Sequence, residues 1–129
     1  MSAVPRPPSR PDVLLEVPVG LEYLVVSRLV ASGVGSVPGF TVDEIDEIKT
    51  AVDEGCALLG SQREPSEHLT LAFHLLDDDM VVEISGTQGP PIVPDDMVVS
   101  ILEAMVDDHE IDLASERPAI RFRKRRRSG

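Results

Sequence analysis

The chain has 129 residues, 42% of them hydrophobic and 3% aromatic, with no Trp, one cysteine and a formal charge of −11. That is enough apolar material for one core but not two, and too few aromatic rings for base stacking to be a main function. The charge is unevenly spread: the first 120 residues hold 23 acidic and six basic side chains, a net of −17, whereas RFRKRRRSG at the end carries +6. A body of that sign repels nucleic acid and attracts basic protein surfaces.

Residues 1–11, with four prolines among Arg and Ser, read as a disordered arm. DVLLEVPV, 12–19, predicts a strand, and Leu21, Leu24, Val25, Arg28 and Leu29 then recur at helical spacing. GVGSVPGF reads as a loop. Thr41 and Glu44 form a T-x-x-E capping box that opens a second helix ending at Gly60, with Ile45, Ile48, Val52, Cys56 and Leu59 as its apolar stripe.

Alternation puts Leu69, Leu71, Phe73 and Leu75 on one face of a strand, and Met80, Val82 and Ile84 on one face of the next, with Asp77–Asp79 as the turn. GTQGPPIVP leads to a third helix over about 95–108, striped by Met97, Val98, Ile101, Leu102 and Met105. HEIDL and AIRFRKR then flank ASERP as a second hairpin. The order β-α-α-β-β-α-β-β predicts an α+β, two-layer sandwich of three helices on a mixed, mainly antiparallel sheet. The domain is placed at 12–123, leaving 124–129 as a basic tail.

A lone Cys56 inside an apolar pattern suits a reducing compartment, and no run is long and apolar enough to span a bilayer. The expectation is an unexported, cytoplasmic protein with no membrane contact. His68, His74 and His109 lack zinc-site spacing, and Asp77–Asp79 lacks the remaining ligands of a calcium loop, so no metal site is expected. The basic end is read as solvated or folded back on acidic surface in preference to a nucleic-acid contact.

Three stretches, AVDEGCALL, MVVEIS with its following glycine loop, and ILEAMVDDHEI, make the chain resemble the GHKL, or Bergerat-fold, ATPases. The closer likeness is to RsbW-like anti-sigma factors, which hold a sigma factor and phosphorylate a serine on an antagonist protein in partner-switching systems. The resemblance implies a histidine kinase-like ATPase fold, a sigma factor or anti-sigma antagonist as partner, and a homodimer.

Each nucleotide motif of that family is incomplete here. The second helix of the family reads E-A-x-x-N; Glu54 matches the glutamate as candidate catalytic base, but Leu58 replaces the asparagine that coordinates magnesium. In the D-x-G-x-G loop Gly86 stands where the adenine-binding aspartate belongs, leaving Gly86 and Gly89 as the residues that could approach a nucleotide. The glycine cradle before the last helix is replaced by PDDMVV, whose Asp95 and Asp96 occupy the positive helix start that phosphate would need. Arg28 lies near the family's partner-contacting arginine, with a salt bridge to Glu22 or Glu16 as the equal alternative. The expectation is therefore a partner-binding regulator without effective ATP use; the alternative is a serine-protein kinase that uses ATP and magnesium with Glu54.

Overall fold

The computed structural model describes residues 4–7 and 10–127, so parts of the predicted arm and the last two residues of the predicted tail lie outside it. The strands are β1 (Val13–Pro18), β2 (His68–Leu76), β3 (Asp79–Ser85), β4 (Asp108–Asp112) and β5 (Ala119–Arg125), and the helices are α1 (Leu24–Ser36), α2 (Val42–Gly60) and α3 (Asp96–Met105). A 3-10 turn, Leu21–Tyr23, precedes α1.

One five-stranded sheet runs β1-β2-β3-β5-β4. Every neighbouring pair is antiparallel, so the sheet is not mixed as expected. The reason lies in the hairpins: β2–β3 and β4–β5 are each closed by a short connection, and the α3 excursion returns β5 beside β3 in the opposite sense.

Register carries the sequence alternation into the core. Val13, Phe73, Val82 and Phe122 form one row across four strands, and Leu15, Leu71, Ile84, Ile120 and Ile111 form the next. Phe73, Val82, Phe122, Leu71, Ile84 and Ile120 are fully buried, under a helical layer in which α2 packs between α1 and α3. The α2 stripe is buried as predicted except for half-buried Ile45, and Gly55 lets α2 approach β3 closely, since a Cβ there would lie 2.7 Å from Ile84 Cδ1.

The first helix departs from the prediction twice. It continues through Gly33 and Gly35 to Ser36, where a loop was expected. Gly35 is there for packing rather than turning, because a Cβ would stand 3.3 Å from Ile45 Cγ1 of α2; the turn comes at Gly39, whose φ of 88° suits glycine. Secondly, α1 buries Ser27, Ala31, Val34 and Gly35, leaving Leu21 76% and Leu29 68% exposed with Val25 also in solvent. Two faces of this helix carry apolar residues at helical spacing, and the face of small residues packs against α2 because it permits the closer approach. Likewise α3 starts at Asp96 and ends at Met105, and Met97 of its predicted stripe is exposed while Val98 and Leu102 are buried.

Candidate functional site

The nucleotide-like residues sit on the α3 side of α2 and on the segment linking β3 to α3. Asp95 caps α3, its Oδ1 accepting from Met97 N at 2.9 Å, and Asp96 adds a second acid in the first turn. A helix start already holding two carboxylates is a poor host for phosphate. Leu58, in the magnesium-ligand position, is 5% exposed and belongs to the hydrophobic core. An aliphatic side chain offers a hard cation no oxygen.

Gly86 and Gly89 are committed to the fold by their backbones. Gly86 N donates to Pro118 O and Gly89 N to Glu116 O, each at 3.0 Å, which fastens the segment to the β4–β5 connection. Gln62, just beyond α2, clasps Val93 at two points: Nε2 donates to Val93 O at 3.1 Å and Oε1 accepts from Val93 N at 2.8 Å. Arg63 Nη2 donates to Pro90 O at 2.9 Å, and its guanidinium lies 3.1 Å from where a Gly89 Cβ would be. Ile92, held by its N–H to Leu113 O, is 3% exposed and joins Leu58 in the core. The strap over 86–95 is thus laced shut along its length, and its residues do not fit a magnesium nucleotide.

At the strap's start Thr87 Oγ1 donates to Glu67 Oε1 at 2.8 Å. That bond, followed by one from Glu64 N, holds the Glu67 carboxyl below its ordinary range. Glu54 is half-buried, and no side-chain hydrogen bond or ion pair joins it to another described residue. Neither Glu54 nor Leu58, Gly86 or Gly89 lines the two cavities described below.

Arg28 lies on α1 with its side chain half exposed, and its Nε is 2.8 Å from both Asp53 oxygens. The partner is therefore on α2, and neither Glu22 nor Glu16 takes it. This exposed pair pins the two helices but contributes at most about 1 kcal/mol.

The basic end meets the acidic body at successive points. Arg121 pairs with Glu110 and Glu83, Arg123 with Asp108 and Asp79, and Arg126 with Asp78. Lys124 shares the helix-facing row of Leu75 and Met80, and only 1% of it is exposed. Its Nζ donates to Met105 O at 2.7 Å, sealing the C-terminus of α3, and to Glu47 Oε1 at 3.1 Å. Beside it, Glu44 is buried at the start of α2, its oxygens accepting from Thr41 N and Arg127 N. Burial raises the Glu44 pKa, but those bonds, the Thr41 hydroxyl and the Lys124 charge outweigh it and leave the carboxyl below its ordinary value. The capping box was legible in the sequence; the buried Glu44–Lys124–Glu47 cluster was not. Its available sign was parity, since Ile120, Phe122 and Lys124 alternate onto one face.

On the opposite face of the sheet Arg6 lines a polar cleft of about 160 Å3 with Glu83, Glu110, Asp112, Ala119 and Arg121, and Val4, shortly before Arg6 in the chain, is buried. Among the described residues no group of three or more His, Cys, Asp or Glu side chains could hold a metal ion, and no helix is long and apolar enough to cross a membrane. A second cavity, of about 280 Å3, opens between β1, α1 and the end of α2. Its wall includes Cys56, whose thiol is pushed up to about 12 by burial, a neighbouring Ser27 hydroxyl lowering it and the Asp53 charge raising it further.

The chain is similar to proteins named serine-protein kinase RsbW. It is 33% identical to that of Halalkalibacterium halodurans over 72 residues, 55% of this chain and 44% of the relative. It is 34% identical to that of Bacillus subtilis over 74 residues, 55% of this chain and 46% of the relative. The chain thus matches less than half the length of these relatives. No family model matches it. The fold is that seen in the crystal structure of the RsbU and RsbW domains of a Mycobacterium tuberculosis protein, with a TM-score of 0.67 and 13% identity over 92% of this chain and 34% of that one. The RsbW-like fold expected from the sequence is therefore present.

Proposed function

We propose that this chain is an anti-sigma-type regulator that works by protein contact and does not use ATP effectively. The observation that carries the reading is the laced strap: Leu58 is packed into the core where the resemblance calls for a magnesium ligand, and Ile92 of the strap is buried in that same core. Glu54 then has no positioned phosphoryl group to act upon.

Two surface properties support binding as the remaining role. The acidic body complements a basic surface such as that of a sigma factor, which speeds encounter and rejects wrong partners. Leu21, Val25 and Leu29 present an apolar face beside Arg28, where contact with a partner would remove them from water. A homodimer through the same face is the related proposal that the family likeness suggests.

The second reading, a serine-protein kinase acting on an anti-sigma antagonist, draws on the name of the relatives and on the half-exposed Glu54. Calorimetry with ATP and magnesium separates the two. The binding-module reading expects no heat of binding into the millimolar range. Submillimolar binding abolished by Glu54→Gln overturns it. For the partner, capture from the native host followed by titration at rising salt is expected to yield a sigma factor or antagonist whose affinity falls steeply with ionic strength.

A further inference from the structure

The cavity of about 280 Å3 lies on the α1 side of α2, away from every residue discussed for nucleotide. Cys56, which lines it, is two positions from both Glu54 and Leu58, and Gly60, also on the lining, is two from Leu58, so helical geometry turns them to the other flank. Val19, Leu24 and Leu69 form apolar wall, and exposed Leu21 and Tyr23 stand at the rim.

No charged side chain lines this space. One polar group in it has no hydrogen bond of normal geometry among the described residues: Ser27, 1% exposed, has a buried Oγ with only the neighbouring Cys56 thiol, a weak partner, beside it. Buried hydroxyls are nearly always satisfied, and a helical serine can ordinarily satisfy itself on the preceding turn. A water molecule needs two to four polar partners, and of the other hydroxyls on the lining Ser61 is already bonded to Leu58 O and Tyr23 stands at the exposed rim. The volume exceeds that of cavities that accept benzene and approaches the range of ligand sites.

We propose that this cavity is a binding site for a small, neutral, mainly apolar molecule, somewhat larger than benzene, with one hydrogen-bond acceptor that meets Ser27 Oγ. Neutrality follows from the uncharged lining, size from the volume, and the acceptor from the unpaired donor. The site shares Leu21 at its rim with the proposed partner face, but its test reads ligand binding by the free chain, so the two readings fail separately.

The test uses acetophenone and its hydrocarbon analogue ethylbenzene, titrated into the full chain and followed by amide NMR. Acetophenone is expected to saturate with a Kd below about 1 mM, moving resonances of residues 17–27 and 56–61. Ser27→Ala should weaken acetophenone about fivefold and leave ethylbenzene unchanged. Ala57→Phe, or Ser27→Leu should that variant fail to fold, should abolish both. Absence of saturation by acetophenone, equal effects of Ser27→Ala on the two probes, or binding that survives filling of the cavity overturns the proposal.

Discussion

The two flanks of α2 have met opposite fates. Toward α3, Leu58 and Ile92 fill the space, and Gln62 and Arg63 lace the strap over it. Toward α1, small residues face a cavity and leave a hydroxyl unpaired. A hole thus persists on the flank that small side chains line, and closes on the flank that large aliphatic ones fill.

The comparison can be broken at several points. The largest effect should appear at Cys56, whose thiol pKa of about 12 against 9.0 leaves about a thousandfold less thiolate at a given pH. Iodoacetamide at pH 8 should modify native protein correspondingly more slowly than urea-unfolded protein. Similar rates would mean that the α1 flank is open to water.

Next, Leu58→Ala should cost about 2–5 kcal/mol in urea denaturation, as expected for a fully packed leucine. A cost under about 1 kcal/mol would mean that the α3 flank is loosely filled.

Glu44→Gln should cost about 1–2 kcal/mol through the weakened capping box and the Arg127 contact. It should also flatten the acid limb of stability. The folded pKa of Glu44 is lowered, so its contribution is complete above the ordinary value of 4.5 and is lost as pH falls through the folded value. Chemical denaturation between pH 6 and 3 reads the difference, and parallel curves for the two proteins would remove Glu44 as its source.

The smallest effect belongs to Ser27→Ala, expected to lie within about 1 kcal/mol of neutral and on the stabilising side, because it deletes a hydroxyl that has no partner. A clear loss of stability would assign Ser27 a hidden bond and sharpen the contrast no further.

Legibility followed the range of the interaction. Alternation in 69–75 and 80–84, and the Thr41–Glu44 box, are local patterns, and each forms as read. The first helix was misread because Leu21/Val25/Leu29 and Ala31/Val34 both satisfy the helical period, and only the approach of α2 selects between them. At the candidate site the missing magnesium ligand was visible as Leu58. What filled its place was not, because the Gln62–Val93 clasp joins residues 31 positions apart and has no local motif. Arg28 found Asp53 for the same reason, the ion pair being set by helix packing rather than by neighbours in sequence.

Lys124 has a practical consequence for any attempt to trim the protein. Truncation after Arg123 would cut within β5 and remove the ammonium that seals α3, and excision from Arg121 onward would take most of a strand that lies between β3 and β4. Neither shortened polypeptide would report on the basic terminus alone. Charge reversal at Arg125, whose side chain is exposed and makes no ion pair with another described residue, is the cleaner perturbation, since Arg127 lies 3.8 Å from Glu47.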